Sequence, residues 1–132
     1  MPLVLPNIGE IELLECALKD ATPEALVLCL YSNNATLSEA TVLANLTECA
    51  ISGYAAKNLT RAGWGSAVAG DPSYIPYGTP QVFNFSGTGT VYGYFLKGAT
   101  SGNLYWAEVL YPSGQLVNSG DSITVTPRFE LS

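Results

Sequence analysis

Residues 89–96 read GTVYGYFL and, after a short polar break, residues 104–110 read LYWAEVL. Aromatic and β-branched side chains fill both runs, a composition that suits a pleated, half-buried surface better than a helix. The break, KGATSGN at 97–103, is loop composition between two strong strands and predicts an antiparallel hairpin. So much aromatic surface serves either as a core or as a recognition face for a sugar, a base or another protein. Tyr92, Tyr94, Tyr105 and Trp106 follow strand alternation, and aromatic cross-strand pairs are ordinary sheet stabilisers, so these four are assigned to the core.

Working outward, LVLCLY at 26–31 is apolar on both faces, as a central strand covered on two sides should be, and Ser32, Asn33 and Asn34 end it with turn chemistry. Further strands are predicted over 41–50, 55–60, 80–85, 91–97 and 122–131. In the last, Ile123, Val125, Phe129 and Leu131 share one face; Pro127 cannot donate to a ladder and predicts an edge position or a bulge. Upstream, Asn7 with Glu10 three residues on has the form of a capping box, and Ile8, Ile11, Leu14 and Leu18 recur at helical spacing. A short amphipathic helix over about 8–19 follows, stopped before Pro23. The sum is a mainly β fold, an antiparallel β-sandwich of jelly-roll-like type with one short N-terminal α-helix. It is read as a single domain over residues 1–132, with 1–6 (MPLVLP) as an extended N-terminal arm.

The chain has 132 residues, enough to bury roughly two-thirds of its unfolded surface. It is 48% hydrophobic and only 12% charged, so apolar surface must be hidden inside or shared with partners. The net charge is −6 and the five cations, Lys19, Lys57, Arg61, Lys97 and Arg128, are scattered. Nucleic acid and anionic membrane surfaces are therefore not expected as partners. The first twenty residues lack the basic start and continuous apolar core of a signal peptide, and synthesis in the cytosol is expected.

Chemistry is sparse. There is no histidine, and Cys16, Cys29 and Cys49 have neither the number for a disulfide framework nor the spacing of a zinc site, so no cofactor or metal is expected. Gly87-Thr88-Gly89 and Gly63-Trp64-Gly65-Ser66 match no phosphate-binding loop or nucleophile elbow and are read as turns. The Asn-x-Ser/Thr triplets at Asn34, Asn45, Asn58 and Asn84 are explained by a composition rich in Thr and Asn. Glu108, alone among apolar neighbours on the face of Leu104, Trp106 and Leu110, is the one candidate acid. A structural pairing is favoured over catalysis, and no enzymatic activity is expected. Residues 61–79 (RAGWGSAVAGDPSYIPYGT) are Gly/Pro-rich and about as long as structureless loops in compact domains get, and Trp64, Tyr74 and Tyr77 on them are candidate interface anchors.

Taken together, PNIGEIELL, LVLCLYSNN, SGYAAKNLT, VYGYFL, LYWAEVL and the terminal SITVTPRFELS resemble, in this order, small structural proteins of tailed bacteriophages and prophages, with 61–79 the most individual part. The resemblance implies a non-catalytic virion component. Within that group the chain's size suggests a capsid decoration or cement protein, binding the major capsid protein as a homo-oligomer on the virion surface. The alternative is a tail- or fibre-associated module that holds a host glycan or receptor. A hydrolase using Glu108 with a second carboxylate is a distant third. For a cement protein, Val4 and Leu5 of the arm would contact the shell or a sister subunit.

Overall fold

A computed structural model describes residues 3–20 and 22–131. Its centre is the predicted central strand, β1 (Leu26–Tyr31), flanked by β2 (Lys57–Leu59) and β6 (Gly93–Gly98), with β7 (Leu104–Val109) beyond β6. All neighbours in this four-stranded sheet run antiparallel. β6 and β7 are the two aromatic runs, joined as a hairpin whose turn closes with the Gly102 N–H donating to Gly98 O at 3.0 Å. Gly102 has φ +72°, a left-handed backbone that glycine adopts without steric cost.

Over one face of this sheet lie three two-stranded ladders: β3 (Ser73–Pro76) with β10 (Arg128–Leu131), β4 (Gln81–Asn84) with β9 (Ser122–Val125), and β5 (Gly89–Val91) with β8 (Gln115–Val117). Leu28, Leu30, Leu59, Leu96 and Trp106 of the sheet meet Phe83, Val117, Ile123, Val125 and Phe129 of the ladders in the main core, a sandwich-like layering. The opposite face of the sheet, with Cys29, Tyr31, Phe95 and Ala107, is covered by Leu37, Leu43 and Leu46 of the 32–50 segment and by Ile8. The chain is therefore mainly β and antiparallel with one helix, as its composition and periodicity predict.

The predicted strand over 91–97 is divided at Tyr92. β5 pairs with β8, and after Tyr92 the chain enters the large sheet as β6. The Tyr92 carbonyl accepts from the N–H groups of both Leu110 and Tyr111, and Gly93 follows where a Cβ would overlap the Glu108 carbonyl. The predicted strand over 122–131 breaks in the same way at Thr126 and Pro127 into β9 and β10. Residues 41–50 are not a strand. They contain a 3-10 turn (Leu43–Asn45), and their main chain meets β1 through a bridge between Glu48 and Tyr31 and the Cys49 N–H donating to Leu30 O at 2.9 Å. Amide side chains take over the hydrogen bonds there: Asn33 Oδ1 accepts from Thr47 N–H, Asn33 Nδ2 donates to Asn45 O, and Asn45 Oδ1 accepts from Val42 N–H, at 2.8 to 2.9 Å. The 61–79 segment is ordered by β3 and by bridges between Trp64 and Tyr77 and between Val68 and Tyr74.

The helix α1 (Asn7–Leu18) differs from its sequence reading in two respects. Its N-cap is Pro6 and no side chain among the described residues caps it; the Asn7 N–H instead donates to Glu39 O at 2.9 Å. The face turned inward carries Gly9, Glu12, Leu13 and Cys16, whereas Ile11, Leu14 and Leu18 are 55, 62 and 85% exposed. Gly9 sets this rotation. A Cβ at Gly9 would overlap the Tyr105 carbonyl on β7, so the helix lies against the strand along the only residue of that turn small enough to permit it.

Candidate functional site

The clearest concavity lies where α1, the residues before β1, the 61–65 turn and the β3–β10 ladder converge. It encloses about 380 Å³ and is lined by Leu13 and Cys16 from α1, Glu24, Ala25 and Leu26, Arg61, Trp64 and Gly65, Ile75, Tyr105 and Trp106, and Phe129. Its floor is an aromatic stack. The Trp64 ring meets Trp106 edge-on at 6.1 Å and Tyr77 at 5.2 Å, and Trp106 packs on Phe129 at 4.5 Å.

Two charged groups line this cleft, and only one is committed. Glu24 Oε1 accepts from the Ser101 hydroxyl at 2.6 Å and from the Tyr105 hydroxyl at 3.2 Å, while Oε2 accepts from the Ser101 N–H at 2.9 Å. Burial pushes the Glu24 carboxyl up, but these hydrogen bonds outweigh it and hold the group below its ordinary value. Glu24 thereby ties the β6–β7 turn to the start of β1. Arg61 forms no ion pair among the described residues; its guanidinium donates one long hydrogen bond, 3.4 Å, to the Glu24 carbonyl.

The anchors expected on 61–79 turn largely inward. Tyr77 is only 8% exposed and its hydroxyl accepts from Thr60 N–H at 3.2 Å, which makes it a core residue. Trp64 is half-buried in the aromatic stack. Tyr74 stays half-exposed, with the Arg128 guanidinium 3.7 Å from its ring centre. In the arm, Val4 pairs with Ala107 on the outer edge of β7 through hydrogen bonds of 2.8 and 3.0 Å; Leu5 packs on the core and Pro6 is fully buried. Residues 3–6 thus cover an edge of their own sheet and do not extend away from it; Met1 and Pro2 lie outside the described residues.

Glu108 borders a second cavity of about 350 Å³ with Tyr94, Thr124, Arg128 and Glu130. The Tyr94 hydroxyl donates to Glu108 Oε2 at 2.8 Å, and Glu130 is held by Arg128 at 2.8 Å. Burial, reinforced by the Glu108 bond, raises the Tyr94 phenol well above its ordinary range. The buried Trp106 N–H has no hydrogen-bond partner among the described residues. Leu104 does not share this face: a register shift at Leu96 and Lys97 moves it to the opposite core cluster.

Among the described residues no group of three or more His, Cys, Asp or Glu side chains could hold a metal ion, and no helix is long and apolar enough to cross a membrane. Sequence reasoning missed Glu24, Arg61, Cys16 and Ile75 as neighbours, because they come from separate segments with no motif or spacing linking them. Comparison with protein-family models, curated proteins and solved structures finds no match to this chain.

Proposed function

We propose that the chain is a non-enzymatic structural protein of a tailed-bacteriophage particle, a cement or decoration protein that binds the major capsid protein and braces the head shell as a homo-oligomer. The observation that carries the reading is the outward face of α1. Ile11, Leu14 and Leu18 form an apolar stripe open to solvent on a chain with few charges, while the helix is anchored from behind through Gly9. An apolar stripe on a firmly seated helix suits a protein partner, since burying it releases water without refolding the scaffold. Repetition across a shell turns such modest contacts into durable attachment.

The sequence resemblance supports the same reading. A tail- or fibre-associated module holding a host glycan has less support, because Tyr77 belongs to the core and Trp64 packs on it, with its open side in the cleft beneath α1. The test is co-sedimentation with purified head shells of the source phage, comparing the natural chain with an Ile11→Asp/Leu18→Asp variant. The variant is expected to fold normally and to lose shell binding. Unchanged binding by the variant, or no binding by the natural chain, would overturn the proposal.

A further inference from the structure

We infer that the cleft beneath α1 is a binding site for a small monocarboxylate with an apolar body, of the medium-chain fatty-acid class. Arg61 receives the carboxylate and Trp64, Trp106 and Phe129 receive the hydrocarbon. The inference concerns the inner side of the helix and does not depend on the shell-binding role of its outer side.

Size and lining come first. A volume of about 380 Å³ falls within the roughly 300–1,000 Å³ usual for small-molecule sites, and its walls are mostly aromatic and aliphatic with few polar groups, as such sites are. The polar groups then select the ligand. Glu24 has its oxygens occupied by Ser101 and Tyr105, and the Tyr105 hydroxyl has its proton committed to Glu24. The ionised group with unused hydrogen-bonding capacity is Arg61, whose five N–H donors serve a single long contact. A guanidinium matches a carboxylate with two parallel hydrogen bonds.

Other ligand classes fit less well. A phosphorylated ligand brings more than one negative charge to a lining with one cation and the ionised Glu24. A sugar would leave several hydroxyls unpaired against an apolar floor, each at a desolvation cost. A plain hydrocarbon would bury the Arg61 side of the cleft without a partner.

The two tryptophans of the chain both line this cleft, so intrinsic fluorescence reports on it directly. Octanoate is the probe, 1-octanol its uncharged control, and Arg61→Gln the variant, chosen because Arg61 is exposed and can be replaced without disturbing the core. Octanoate should change the tryptophan emission saturably. Arg61→Gln should weaken octanoate binding about ten-fold, the worth of a charge-assisted hydrogen bond, and leave 1-octanol binding unchanged. An emission unresponsive to octanoate, or octanoate and 1-octanol binding equally with no effect of Arg61→Gln, would overturn the inference.

Discussion

Gly9 on α1 and the Tyr105 carbonyl on β7 are in such close contact that no side chain fits between them. Through this contact a helix with an apolar stripe on one side is seated by its other side. Replacing Gly9 by Ala in an isolated helix would stabilise it by about 1 kcal/mol. Here the overlap is with main chain, which cannot rotate away, and overpacking of this kind costs about 1–3 kcal/mol. Gly9→Ala should therefore lower the urea midpoint, and a raised midpoint would show that the helix can move off β7.

Residues 3–6 close the outer edge of β7 through the Val4 and Ala107 pair. Removing residues 1–6 should destabilise the chain and leave an unpaired strand edge, the usual template for edge-to-edge association. Thermal melting and light scattering of the truncated chain would register both effects. A truncated chain with unchanged melting that no longer binds shells would instead restore the arm to a role between molecules.

Trp64 and Tyr74, two residues of one segment with the same sequence reading, should separate on mutation. Trp64→Ala removes a ring wedged against Trp106 and Tyr77 and is expected to cost about 3 kcal/mol. Tyr74→Ala gives up a half-exposed stack with Arg128, worth less than about 1 kcal/mol. Equal losses in denaturant titrations would mean that Tyr74 is packed as deeply as Trp64.

Alkaline pH should weaken the fold through Cys29. Burial, with the Glu48 charge adding to it, pushes this thiol up from 9.0 to about 12. Since the folded chain holds the proton more tightly than the unfolded one, the stabilisation is complete below pH 9 and is lost as pH rises from there toward 12. Tyr31, raised by burial from 10.0 to about 12, contributes with the same sign over a higher window. Urea midpoints should be flat near neutrality and fall above pH 9; Cys29→Ala should make that fall shallower without removing it, because burial also raises the Cys49 thiol from 9.0 and that group remains. A fall of undiminished slope in that variant would assign the effect elsewhere.

The patterns of LVLCLY, VYGYFL and LYWAEVL sufficed to name a central strand and a hairpin, because burial on both faces leaves a continuous apolar run that few other structures accept; that the three share one sheet came from the tertiary structure. The same local logic failed for residues 41–50, where Asn33 and Asn45 supply the hydrogen bonds a ladder would have made. It could not anticipate the division at Tyr92 either, since two partners, β8 and β7, compete for one apparent strand.

The amino-acid sequence by itself determined the antiparallel β character and the single N-terminal helix, both of which follow from composition and short-range period. Only the tertiary structure decided which face of α1 points outward, that Tyr77 belongs to the core, and that Glu24 is committed while Arg61 is not. The physical reason is that each of these is a contact between segments distant in the chain: Gly9 with Tyr105, Thr60 with Tyr77, Glu24 with Ser101. Periodicity reports that a residue will be buried on some face; which neighbour waits there depends on how the layers close.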